Sequence, residues 1–352
     1  MTRENRRTQT LMGALPFASL GIVAAVDILT GPDLGYLSLL AVGPAFASLV
    51  GGVRRTVLIG VIALVTSLLL AVYNDLLGDR QSTMSLVSIT GVTAASILAT
   101  VGRQRREREL ATVRSVAEVA QRVLLRPVPR RAGHLRAAVS YTSANAEARI
   151  GGDLYEVVTG PGGVRAIVGD VQGKGLEAVE TAALVLGAFR EAAHDEPDLR
   201  GVSGRLEKAL NRRLSGEEFV TAILVDADPA GKLTLLNYGH PPPLIIHADG
   251  EITLAEPAES APPLGLAVLE VEGPNPHQVA FGPGDQVLLY TDGVIEARDR
   301  AGRFYPLAER AFLLKDDDPE AALEALRLDL VHHVDAPLHD DAAMLLLRFR
   351  EG

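Results

Sequence analysis

The chain of 352 residues has no cysteine and no tryptophan, and aromatic residues make up only 4% of it. Without cysteine there can be no disulfide, no thiolate metal site and no cysteine nucleophile. The absence is compatible with a reducing cytosol. Also missing is the Gly-x-x-x-x-Gly-Lys-Ser/Thr order of a nucleotide loop. The one superficially similar stretch, Gly169-Asp170-Val171-Gln172-Gly173-Lys174-Gly175, has the wrong spacing. There is no internal repeat and no long low-complexity tract. The length suits one to three domains.

Positive charge is scarce where most of the chain lies. Residues 1–110 hold ten Arg/Lys against seven Asp/Glu, and the remainder holds 24 against 37. The second part therefore carries −13 of the net −10, against +3 for the first. An acidic domain of this kind argues against a nucleic-acid backbone as the main partner.

What is abundant at the start is apolar sequence. Four stretches, Leu11–Leu29, Gly35–Val50, Val57–Tyr73 and Met84–Val101, each approach the ~17–25 residues that cross a bilayer. The second is the shortest, and Pro44 interrupts it. Charges lie almost wholly between the stretches: Arg3, Arg6 and Arg7 before the first, Arg54 and Arg55 before the third, and Arg103, Arg105, Arg106 and Arg108 after the fourth. The other loops, with Asp33 and with Asp75, Asp79 and Arg80, are poor in positive charge. The positive-inside rule then puts both ends of the anchor in the cytoplasm, as expected for a multi-pass plasma-membrane protein. A signal peptide followed by buried helices does not account for repeated long runs. Asp27, near a helix end, is the only ionisable residue within a span, which disfavours a transporter.

The spacing predicts a helical linker over 103–125. Leu110, Val113, Ala117, Ala120 and Leu124 fall at steps of three and four, an a/d seam through which a homodimer could form. The seam covers only two heptads, and an amphipathic helix lying on its own domain is the alternative. Pro127 and Pro129 end it. The expected domains are an anchor at 1–102, the linker at 103–125 and a catalytic-type domain at 126–352.

Beyond Pro129 the pattern shortens. Strands are expected at Ala137–Ser143, Asp153–Thr159, Val164–Asp170, Thr221–Asp226, Leu233–Tyr238, Leu244–His247, Gln286–Tyr290 and Ala342–Phe349. Turn signals such as Pro161-Gly162-Gly163 and Pro283-Gly284-Asp285 separate them. Helices are expected at Gly175–Ala193, Leu199–Leu214, Pro306–Leu314 and Pro319–His333. Strands outnumber helices without regular alternation, so the fold class is α+β rather than a doubly wound sheet.

The chemistry lies in four short motifs: Gly151-Gly152-Asp153, Gly169-Asp170, Thr291-Asp292-Gly293 and His339-Asp340-Asp341. Three of them set an aspartate beside glycine at the end of a strand-like run, where backbone can approach closely. Carboxylates crowded in this way repel unless a cation neutralises them, and oxygen donors suit Mg²⁺ or Mn²⁺. Taken alone, Thr291-Asp292-Gly293 reads as a turn and Asp340-Asp341 as a solvated strand entry. The helix start after Gly175 offers free N–H groups to a phosphate, with Lys174 beside it. His240 reads as a turn residue, Pro241–Pro243 as architectural, and Glu296 as a residue that steers a water.

In order, Gly151-Gly152-Asp153-Leu154-Tyr155, Gly169–Gly175, Tyr238-Gly239-His240-Pro241-Pro242-Pro243, Pro263-Leu264-Gly265, Leu289–Ala297 and Asp340-Asp341-Ala342-Ala343 resemble the metal-dependent PPM-type serine/threonine phosphatases, in their bacterial SpoIIE/RsbU-like branch. The resemblance covers the chain from about Ala120 onward. It implies an α-β-β-α sandwich of two antiparallel sheets flanked by helices, behind a four-helix transmembrane anchor. It also implies two Mn²⁺ or Mg²⁺ ions. Asp153 and Asp170 would hold the first with the carbonyl of Val171, Asp170 would bridge to the second, and Asp292 and Asp340 would complete the set, with Asp341 the second choice at the last position. The implied activity is hydrolysis of phosphoserine or phosphothreonine on a phosphorylated protein, a small anti-sigma-factor antagonist in a partner-switching pathway. A non-enzymatic signalling receptor with a phosphatase-like partner-binding domain is the alternative, and a nucleotide-dependent sensor or cyclase is a third reading without a motif to support it.

Overall fold

The computed structural model describes residues 3–30, 36–76, 78–143, 151–160, 162–213, 218–257, 259, 261–266 and 273–350. Asp33, Gly35, Pro161 and Leu214 lie outside the described residues, as do the side chains of Arg3, Arg6, Arg7, Val113 and Ala117. The chain divides into two compact units, Met1–Thr112 and Val113–Gly352.

The first unit is helical: α1 (Arg3–Thr30), α2 (Val42–Val50), α3 (Val53–Tyr73) and the start of α4 (Arg80–Leu124). Of the four apolar stretches, three lie in helices long and apolar enough to cross a membrane. The second does not reach that length. It is a six-residue 3-10 turn, Tyr36–Ala41, running into the nine residues of α2, with Pro44 near the start where its missing N–H costs nothing. Leu20, Leu40, Ile59 and Ile89 form the inner seam. Outer apolar side chains such as Ile22, Leu69 and Leu98 are more than 60% exposed, the pattern of helices whose outer surface meets lipid rather than water. Arg55 donates to the carbonyl of Gly13, and Arg103 donates to the carbonyl of Gly51 at 2.8 Å. At the far ends of α1 and α3, Asn74 donates to buried Asp27 at 3.0 Å. The linker is continuous with the last span: α4 runs 45 residues without a break, and the expected boundary at 102/103 falls inside it.

The second unit is a sandwich. A six-stranded antiparallel sheet has the order β1-β2-β11-β10-β7-β8, from β1 (Arg131–Ala132), β2 (Leu135–Thr142), β7 (Leu244–Ile246), β8 (Ile252–Leu254), β10 (Gln286–Tyr290) and β11 (Ala342–Phe349). A five-stranded sheet has the order β3-β4-β5-β6-β9, from β3 (Asp153–Gly160), β4 (Gly163–Val171), β5 (Val220–Asp228), β6 (Lys232–Tyr238) and β9 (His277–Ala280). All eight expected strands are present, within two residues of the expected ends. Helices α5 (Leu176–Asp195) and α6 (Leu199–Leu210) cover the outer face of the five-stranded sheet. Helices α8 (Leu307–Arg310) and α9 (Pro319–Val334) cover the other, while α7 (Asp292–Ile295) follows β10 directly.

The strands read as unbroken apolar runs because both faces are buried, as strands covered on each side must be. On β4, Val164, Ala166 and Val168 point between the sheets, while Ile167 and Val171 meet α5 and α6. On β11, Ala343, Leu345 and Leu347 face inward, while Ala342, Met344 and Leu346 meet α9. This period of two places the site.

Candidate metal centre

Continuing the inward parity past the apolar core gives a new set of side chains at one end of the sandwich. Tyr155 and Val157 of β3 lead to Asp153, and Ala166 and Val168 of β4 lead to Asp170. Val287 and Leu289 of β10 lead to Thr291, and Ala343 and Leu345 of β11 lead to Asp341. Ala137 and Val139 of β2 lead to Tyr141. Asp153 and Asp170 are direct cross-strand partners, the closest placement two strands allow. The hydrophobic pattern that builds the core thus brings carboxylates from distant segments to one place.

Backbone crowding explains the glycines. A Cβ on Gly152 would lie 2.3 Å from the Val171 carbonyl oxygen and 2.8 Å from a carboxylate oxygen of Asp170. A Cβ on Gly293 would lie 1.8 Å from the carbonyl oxygen of Asp341. Neither contact is possible, so each position admits only glycine unless the backbone moves.

Electrostatics mark the cluster. Burial and then the charge of Asp170 push Asp153 well above the ordinary carboxylate range, opposed by the hydroxyl of Thr291, which donates to Asp153 Oδ2 at 2.8 Å. Asp170 is pushed up to about 7 by burial and then by Asp292 and Asp340. Asp292, at the start of α7, is raised by burial, then by Glu296 and Asp340. Lys174 donates to Asp340 Oδ1 at 2.6 Å. Against the lowering effect of burial, Asp340, Asp341 and Asp170 hold the Lys174 ammonium above its usual range.

The structure separates the two final aspartates. Asp340 has a half-exposed side chain and shares the electrostatic field of Asp170 and Asp292. Asp341 is only 2% exposed and accepts a hydrogen bond from the hydroxyl of Tyr141. Burial and then Asp341 raise the Tyr141 phenol, which keeps it a donor. Tyr141 in turn accepts from Gln121 Nε2 at 2.8 Å, and the same amide donates to the Gly151 carbonyl at 3.2 Å. His240 is fully buried, lowered by that burial to about 3 and therefore neutral. Its backbone is clasped by Asn237, which donates to its carbonyl and accepts from its N–H, both at 2.8 Å. That is the turn role.

Sequence reasoning missed Thr291, Tyr141 and Gln121. Thr291 crosslinks the sheets: it donates to Asp153 and accepts from the N–H of Ala343 at 2.9 Å. Its signal, a fully buried hydroxyl on the inward face of a strand, is visible only once the parity of β10 is fixed. Among the described residues no three acidic or histidine side chains converge to ligand distance. The carboxylates are near enough to raise one another's proton affinity. A donor set of hard oxygens under mutual repulsion, with the Val171 carbonyl beside it, fits Mn²⁺ or Mg²⁺.

Two antiparallel sheets covered by helix pairs, with clustered aspartates at the open end, define a PP2C-type domain of the PPM phosphatases. The chain belongs to the family of Stage II sporulation protein E (SpoIIE), whose model matches residues 160–350. The SiaA-PP2C domain of Pseudomonas aeruginosa is similar in fold, with a TM-score of 0.56 at 20% identity over 70% of this chain and 98% of that one. The PP2C domain with a regulatory fragment of SpoIIE from Bacillus subtilis gives 0.52 at 16% identity, over 62% and 64%. The RsbU and RsbW domains of a Mycobacterium tuberculosis protein give 0.52 at 24% identity, over 61% and 60%. At these identities the likeness establishes the fold, and this chain spans less than two thirds of the latter two.

Proposed function

We propose that the chain is a membrane-anchored, metal-dependent protein serine/threonine phosphatase. The observation that carries this reading is the Asp153–Asp170 cross-strand pair, electrostatically coupled to Asp292 and Asp340 at the open end of a PPM-type sandwich. Asp153, Asp170, Asp292 and Asp340, with the Val171 carbonyl, would hold two Mn²⁺ or Mg²⁺ ions. Those ions, when bound, would supply a Lewis acid for the phosphoryl oxygens and activate the attacking water. The chain's own residues do the rest. Thr291 fixes the rotamer of Asp153, Tyr141 fixes Asp341, and Lys174 brings a positive charge where phosphate oxygens would lie. Asp341, turned toward Tyr141, is a positioning residue rather than a ligand.

The substrate would be a phosphorylated small anti-sigma-factor antagonist. Membership of the SpoIIE family supports that class. Anchor and domain would place the phosphatase unit and the N-terminus on the cytoplasmic side of the plasma membrane, in keeping with the arginines at Arg54–Arg55 and Arg103–Arg108. The even number of crossings this needs would come from the shorter apolar segment Tyr36–Val50, which returns the chain from the Asp27–Asn74 end to the end where Arg55 meets Gly13. The test is release of phosphate from a phosphopeptide by the full chain with Mn²⁺. Wild-type activity that is metal-dependent and falls by at least about 100-fold in Asp170→Asn supports the reading, and metal-independent or unchanged activity sinks it. The Lys174–Asp340 pair, in which a cation already sits on one candidate ligand, supports a second reading, a partner-binding receptor without catalysis. Calorimetry showing no Mn²⁺ uptake by the wild type would establish it.

A homodimer would form through the stretch 103–125. Among the described residues, the large apolar side chains exposed there are Leu110, Val116, Val119 and Val123, each at least 58% exposed, and the last three share one helix face. Because the chain has no cysteine, a single Val119→Cys variant in membranes is expected to crosslink to a second copy. Failure to do so under oxidation counts against the dimer.

A further inference from the structure

At the arginine-rich end of the apolar helices, α3 and α4 line an open cavity of about 720 Å³. Val53 and Arg54 line it from the start of α3, and Val101, Gln104, Arg105 and Arg108 line it from α4. Arg103, on the same turn of α4, commits its guanidinium to Glu107 and to the carbonyls of Ser48 and Gly51. Among the described residues no carboxylate pairs with Arg54, Arg105 or Arg108. Three guanidiniums around one cavity repel one another and together attract an anion with oxygens to share, such as a phosphate.

The lining is mixed, and that narrows the ligand. Val53 and Val101 sit where the apolar run of α3 begins and that of α4 ends. Directly beyond them, along the spans, Val57 and Leu58 on α3 and Leu98 on α4 are 40%, 53% and 73% exposed. A free phosphate would use only the arginines. A phospholipid would use both surfaces, its headgroup among the guanidiniums and its acyl chains along the exposed Val57, Leu58 and Leu98. We propose that this cavity is a binding site for the headgroup of an anionic phospholipid. The site is independent of the phosphatase chemistry and rests on the membrane reading of the first unit.

The full chain, reconstituted in nanodiscs of phosphatidylcholine with phosphatidylglycerol and extracted into mild detergent, is examined by native mass spectrometry. Phosphatidylglycerol is expected to stay bound and phosphatidylcholine to be lost. Each of Arg54→Gln, Arg105→Gln and Arg108→Gln should lower its retention about fivefold. Arg106→Gln removes the same charge from the same stretch but lies outside the cavity, and should leave retention intact. Arg54→Lys keeps a charge at the site and should retain most of it, which separates loss of binding from loss of fold. Equal losses in Arg106→Gln and Arg105→Gln would show a diffuse charge effect and overturn the site. So would an absence of preference for phosphatidylglycerol, and displacement of the lipid by inorganic phosphate would identify a soluble anion instead. A chain that never enters the nanodiscs refutes the anchor itself, a distinguishable result.

Discussion

Asp170 is the residue on which most turns. In the folded chain it holds a proton up to about 7, against 3.8 as its ordinary value, because burial and the charges of Asp292 and Asp340 disfavour the carboxylate. Asp153 is raised with it, and the two titrate as a pair. Between those values the folded state binds more protons than the unfolded one, so the metal-free protein loses stability as pH rises through this window. Metal has the opposite slope, since it needs the deprotonated pair, and Mn²⁺ affinity should climb until pH passes about 7. Asp170→Asn is expected to raise the stability of the metal-free protein at about pH 8 by on the order of 1–3 kcal/mol while removing activity. Thermal melts at about pH 5 and about pH 8, with and without Mn²⁺, check both signs. Tyr141 offers a second test at this scale. Tyr141→Phe deletes the donor to Asp341 and should weaken Mn²⁺ binding about tenfold, with Gln121→Ala shifting it the same way by less. Calorimetry giving wild-type affinity for both variants would show that the Gln121–Tyr141–Asp341 contacts are packing alone.

At the scale of elements, the site is held by strand ends. β3, β4, β10, β11 and β2 each contribute their next inward position after the core, so the carboxylates are as fixed as the sheets that carry them. Gly293 shows how little slack remains. Gly293→Ala would push a methyl into the carbonyl of Asp341, with no flexible side chain to yield, and is expected to cost about 1–3 kcal/mol in denaturant unfolding and to displace Asp292. Much of this architecture was legible beforehand. Apolar runs between turn signals located eight strands, and Asp-Gly pairs at their ends located the acidic motifs. The strands that went unseen, β1, β8 and β9, have two to four residues and too little period to register. The partner of each carboxylate was not legible either. That Asp340 faces Lys174 and Asp341 faces Tyr141 follows from the parity of β11, which sequence alone does not give. Pro44 falls in the shortest apolar stretch, which folds as Tyr36–Val50 rather than as one helix of full length. Of the a/d seam expected for the linker, Leu110 is exposed, Ala120 and Leu124 are half-buried, and the side chains of Val113 and Ala117 lie outside the described residues; Val116, Val119 and Val123 are exposed beside it.

At the scale of the whole molecule, two units of opposite charge share one chain, a basic apolar one of helices and an acidic one of strands. Their cores have separate residues and separate chemistry, and the long α4 belongs in part to each. The last strand, β11, is not an edge: it lies between β2 and β10 and is flanked by Asp340 and Asp341 at its entry. During synthesis the apolar helices emerge hundreds of residues before it, while the sandwich still has a gap at its centre. On the proposed reading, the catalytic end of the sandwich is therefore complete only once residues 342–349 have taken their place between β2 and β10.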